Sequence, residues 1–141
     1  MSPLISSLAF CIFLFVANVE AQKTYFQFKG VFICPKNFLW REIRLIEDDG
    51  SPSKNEEVSE WFSSYSFAPH KFEIKGEDYD DNGDYFEIQL LIRHTCTDDG
   101  RTLQYRYDVG EFEESWIVST THTRDLEIDI LNKGDESFTD L

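Results

Sequence analysis

The sequence reads as an all-β protein, an antiparallel β-sandwich of about seven strands. Bulky apolar residues recur on every second position in six separate segments, and turn-forming residues punctuate them. No stretch beyond residue 21 shows an equally clear 3.6-residue period. A period of two puts one face of a strand on a core and the other in water, and six or more such strands divided by turns make a sandwich or barrel.

The chain has 141 residues, a length suited to one domain. Leu4 to Val19 is almost entirely apolar or small. It has about the length of a secretory h-region and falls short of the roughly 20 residues that span a bilayer. Val19 and Ala21 supply the small residues of a cleavage site, although no Lys or Arg precedes the run. The expected organisation is a signal peptide over 1–21, a sandwich domain over 22–134 and an acidic tail over 135–141, with secretion to the extracellular space. Cys11 and Glu20 leave with the signal, so the remaining 120 residues carry a formal charge of −13 and two cysteines, Cys34 and Cys96. In an oxidising compartment two cysteines form one disulfide, whose loop of about 60 residues is worth roughly 4 kcal/mol by chain entropy. The paired Cys-x-x-Cys spacing of a structural zinc site is absent.

Phe26, Phe28, Phe32 and Cys34 share one parity, against Gln27 and Lys29. Ile43 and Leu45 oppose Glu42 and Arg44, and Phe72 and Ile74 lie between Lys71, Glu73 and Lys75. The longest run places Phe86, Ile88, Leu90, Ile92, His94 and Cys96 on one face. Leu103, Tyr105, Tyr107 and Val109 then alternate with Gln104, Arg106 and Asp108, and Leu126, Ile128 and Ile130 with Glu127 and Asp129. Asp49-Gly50, Asn82-Gly83, Asp99-Gly100 and Asn132-Lys133-Gly134 mark turns, while 51–57 is a polar loop.

Composition narrows function. With 13 Lys and Arg against 27 Asp and Glu, the charge of −14 repels phosphate backbones and anionic lipid, so neither nucleic acid nor membrane insertion is expected. An apolar fraction of 41% is too high for a disordered acidic chain.

Gly30-Val31-Phe32-Ile33-Cys34-Pro35, followed by Ile43-Arg44-Leu45-Ile46-Glu47-Asp48-Asp49, resembles the first two strands of the nematode transthyretin-like family. Glu87, Leu90, Ile92, His94 and Cys96 match that family's strand ending in His-x-Cys, and Phe72-Glu73-Ile74-Lys75-Gly76 resembles the element before it. The resemblance covers most of 22–130. It implies a small secreted transthyretin-like (prealbumin-like) sandwich, in a family whose members mostly lack an assigned activity.

No catalytic constellation stands out. The related transthyretin-fold hydrolases need early-strand histidines and a Tyr-Arg-Gly-Ser ending, whereas His70 is the first histidine after residue 21 and the sequence closes Phe138-Thr139-Asp140-Leu141. There is no Gly-x-Ser-x-Gly elbow, His-Glu-x-x-His or phosphate loop, so no enzyme and no cofactor is expected. The sharpest motif is Asp78-Tyr79-Asp80-Asp81-Asn82-Gly83-Asp84, the start of a calcium loop with Asp78, Asp80 and Asn82 as ligands. Gln89 stands where the bidentate Glu belongs, and the flanks read as strands; a solvated hairpin turn explains the same residues. His94, two residues before Cys96, is expected to hydrogen-bond a carbonyl or pack on the disulfide, while His70 and His122 are expected at the surface. Trp61, Phe62, Tyr65, Phe67 and Trp116 could line a partner surface, although most of the 19 aromatics beyond the signal must fill the core. The expected function is a secreted, non-catalytic binding protein for an extracellular protein or small apolar ligand, of open oligomeric state. The alternatives are a calcium-dependent bridge to anionic surfaces and a hydrolase.

Overall fold

Eleven residues of extended chain, Lys23–Ile33, form strand β1. Its inward rings Phe26, Phe28 and Phe32 reach the centre of the molecule in a computed structural model that describes residues 22–48, 50, 55–79, 85–115, 117–136 and 138. The expected signal peptide 1–21, the turn at Asn82-Gly83, and Trp116 lie outside the described residues. Seven strands follow: β2 (Phe38–Glu47), β3 (Glu56–Glu57), β4 (Phe62–Phe67), β5 (Lys71–Tyr79), β6 (Tyr85–His94), β7 (Leu103–Glu113) and β8 (Thr120–Asp129). All six alternating segments are strands. The two elements that alternation did not announce are β3, inside the expected polar loop, and β4.

One sheet has the order β5-β1-β8 and the other β3-β2-β6-β7, with β4 also pairing β2. The two sheets face each other as the expected transthyretin-like sandwich. Phe26, Phe28 and Phe32 from β1 meet Ile43 and Leu45 from β2 and Phe86, Ile88, Leu90 and Ile92 from β6 in one buried cluster. Phe26 packs edge-on to Phe86 at 5.5 Å, and Phe32 stacks on Phe72 at 4.3 Å. Each such side chain contributes about 1.5–3 kcal/mol by leaving water.

Not every pairing is antiparallel. β1 and β8 run parallel, from Thr24 opposite Thr120 to Ile33 opposite Asp129. Alternation has the same period in either direction, so the sequence pattern carries no information about strand polarity. The direction follows from connectivity, since the chain reaches β8 by crossing over from β7 in the other sheet. In β7 the register shifts opposite Ile88 and Gln89: Gly110 faces Ile88, Asp108 faces Gln89, and Val109 is the extra residue. This bulge turns both Val109 and Phe112 inward, although their parities differ.

Cys34, just past β1, and Cys96, just past β6, are joined at one end of the sandwich, with their Cα atoms 6.2 Å apart. The expected acidic tail begins docked rather than free. Asp135 and Gln104 exchange backbone hydrogen bonds, Glu136 pairs with Arg101, and Arg93 lies 5.0 Å over the Phe138 ring. Among the described residues no helix is long and apolar enough to cross a membrane.

Candidate functional site

Strand β4 is an edge: among the described strands it hydrogen-bonds only to β2. Its register sets Phe67 opposite Phe38 and Tyr65 opposite Trp40, and these side chains share the parity of Glu42 and Arg93 on the outer face of the sheet. Phe38, Tyr65 and Phe67 are 49%, 67% and 71% exposed. They nevertheless form an ordered group, with Phe38 stacked on Tyr65 at 5.2 Å and 9° and tilted against Phe67 at 5.1 Å. Rings held together in water form a preassembled apolar surface. Tyr65 and Phe67 were legible as candidates. Phe38 was not, although extending the Ile43 and Leu45 parity back along β2 places it outward.

Two other aromatics do different work. Trp61 lies beneath two guanidinium groups, Arg93 at 4.1 Å and Arg44 at 5.3 Å, and so anchors the strand's start. Phe62 has inward parity, opposite Ile43, yet it is exposed because the sandwich is open along this side. There it lines a cleft of about 610 Å³ with Val31, Arg41, Lys71 and Phe72. Arg41 is 6% exposed, donates to the carbonyls of His70 and Lys71 at 3.4 and 2.6 Å, and lies over the Phe32 ring. Burial pushes its pKa down, because the charged form loses hydration.

The three histidines serve the fold. His94 is fully buried; its Nδ1 accepts from the Cys96 amide at 3.1 Å, and its Nε2 donates to the Lys133 carbonyl at 2.9 Å. Burial holds its pKa below the usual histidine value. His70 is not at the surface, as expected from sequence, but 1% exposed. Its Nε2 donates to the Lys36 carbonyl at 2.6 Å and its Nδ1 meets the Ser66 hydroxyl at 2.8 Å. A Ser–His contact suggests a nucleophile, but Ser66 is 5% exposed and His70 1%, and their bond fastens the turn between β4 and β5. His122 is half-buried between Phe26 and Phe112 and bonds the Glu113 carbonyl.

Of the calcium-loop residues, Asp80 and Asn82 lie outside the described residues, while Asp78 ends near β5's terminus. Asp78 comes together with Glu47 and Glu56, one carboxylate oxygen of each within 4.8 Å of the others. None of the three lacks a partner. Gln89 is engaged with Asp48 and Arg106.

A scan against protein-family models returned no match, and no curated protein matched the sequence.

Proposed function

We propose that this is a secreted, non-catalytic binding protein that engages an extracellular protein partner through the open edge of β4. The observation that carries the reading is the exposed ring group in which Phe38 of β2 stacks on Tyr65 and tilts against Phe67, the last two on β4, a strand with no charged residue. The other sheet edges among the described strands are guarded. β5 carries Lys71, Glu73 and Lys75, β7 carries Arg106, Asp108 and Glu111, and β8 carries Arg124, Asp125 and Glu127. Charges on edges prevent unwanted strand pairing, so an unguarded edge suits pairing that is wanted. A partner segment would add as an extended strand, its backbone matched to β4 and its side chains on the rings. The apolar leader over 1–21 and the Cys34–Cys96 bridge support the extracellular setting.

The test is affinity capture from the fluid that bathes the secreted protein, comparing wild type with a Tyr65→Lys/Phe67→Lys variant. Both side chains are exposed, so the variant should melt within a few degrees of wild type and lose the captured partner. Equal capture by both proteins would overturn the reading. Capture that depends on calcium, accompanied by a calcium-dependent rise in melting temperature, would replace it with the cation-bridging alternative. Hydrolysis of any substrate in a broad panel, lost on mutation of His94 in a variant that circular dichroism shows still folded at the assay temperature, would replace it with the hydrolase.

A further inference from the structure

The cleft beside Arg41 is separate from the outward ring group, and its chemistry is unusual for this molecule. In a chain of net charge −14, its lining holds three cations, Lys29, Arg41 and Lys71, against two acids, Glu73 and Asp125. Both acids are already matched: Asp125 to Lys29 at 3.6 Å, and Glu73 to Lys75 at 3.3 Å and Gln27 at 2.9 Å. Arg41 has no such match. Among the described residues no carboxylate lies within ion-pair distance of it, and its hydrogen bonds go to the neutral acceptors Ser64 Oγ, His70 O and Lys71 O. A guanidinium has five N–H donors, and a buried one without a counter-ion is costly, which is why burial depresses its pKa.

The rest of the lining is apolar, from Val31, Phe62 and Phe72. At Phe62 and Glu73 the cleft meets a second one, of about 410 Å³, along Trp61 and Ile74. A cation beside the apolar side chains Phe62 and Phe72, with Trp61 and Ile74 beyond them among the polar residues Ser59, Glu60 and Lys75, suits an amphiphile with an anionic head. The first cleft's volume of about 610 Å³ falls within the range of small-molecule sites.

We propose that the cleft between β4 and β5 binds an apolar monocarboxylate, its carboxylate meeting Arg41 and Lys71 and its chain lying on Phe62 and Phe72. The ligand supplies the counter-charge that the protein withholds from Arg41, and Phe62, exposed in the free protein, becomes covered. This site does not depend on the partner-binding edge.

Decanoate and decanol, matched in chain and different in head, are the probes, titrated calorimetrically into the intact protein. Decanoate should bind about tenfold or more tightly than decanol, the difference expected of a charge-assisted hydrogen bond. Arg41→Met should remove that preference. Because Arg41 also ties β2 to β5 and its loss could unfold the protein, Phe62→Ser provides the second arm: the residue is 56% exposed, and its replacement should weaken both probes equally. Tyr65→Lys/Phe67→Lys should bind decanoate as wild type does, which separates this site from the proposed partner edge. Equal affinity for the two probes, no binding of decanoate, or binding indifferent to Phe62→Ser would each overturn the proposal.

Discussion

The two nitrogens of the His94 ring have fixed and different roles. Because the Cys96 amide can only donate, Nδ1 must accept, and the proton therefore sits on Nε2, facing the Lys133 carbonyl. Protonating Nδ1 would break the first bond and place a charge in a fully buried site. The folded pKa thus lies below the unfolded value of 6.5. The unfolded chain takes up the proton more readily, so His94's contribution is complete above about pH 6.5 and is lost as pH falls toward the folded pKa. Urea unfolding at pH 7.5 and pH 5 should show a loss in wild type that is smaller in His94→Gln, which keeps the Lys133 bond. At pH 7.5 that variant should be about 1–3 kcal/mol less stable, because the Cys96 amide loses its acceptor. His70 and His122 are common to both proteins and cancel in the difference. The sequence led to a carbonyl partner for His94 or packing on the disulfide; the carbonyl belongs to Lys133, 39 residues later, and the local bond is to the Cys96 amide. The burial of His70 was not legible, because its partner carbonyl belongs to Lys36, 34 residues earlier, and only the folded chain brings the two together.

At the scale of elements, alternation identified the six strands whose inner positions are mostly apolar and missed the two-residue β3 and also β4, whose inner face is largely serine. In β4 the inward positions are Phe62, Ser64 and Ser66, and the outward ones include Tyr65 and Phe67, so the pattern is partly inverted. Serines are accepted inward because Ser66 bonds His70 and Ser64 bonds Arg41. The open strand that carries the proposed partner surface was hidden for the same reason: it spends bulky side chains on the outside. A second feature of this scale is the close approach of β1 and β8. Gly30 faces Leu126 across the parallel pairing, and a Cβ there would collide with the Leu126 backbone carbonyl. The side chain cannot be absorbed by a rotamer change, since the obstacle is main chain. Gly30→Ala should therefore cost about 1–3 kcal/mol, the range for overpacking a well-filled site, read as a lower urea midpoint. An unchanged midpoint would mean that β8 can slide away from β1 freely.

For the whole molecule the governing balance is between one core, one covalent tie and an excess of acid. A net charge of −14 opposes compaction through self-repulsion. The Cys34–Cys96 bridge works in the other direction. It spans 62 residues of sequence and joins the end of β1, in one sheet, to the segment just after β6, in the other. Closing a loop of that length in the unfolded chain is worth roughly 4 kcal/mol, against a total stability of about 5–15 kcal/mol for a domain of this kind. The bridge is therefore a major share of stability, and its loss should leave a protein whose folding depends visibly on screening. A Cys34→Ala/Cys96→Ala variant should unfold at a much lower urea concentration in low salt and recover part of the difference as sodium chloride is raised toward 0.5 M, where the Debye length is only a few ångströms. A loss below about 1 kcal/mol in low salt would show that the core alone outweighs the acidic repulsion, and that the bridge is there for resistance to some other stress.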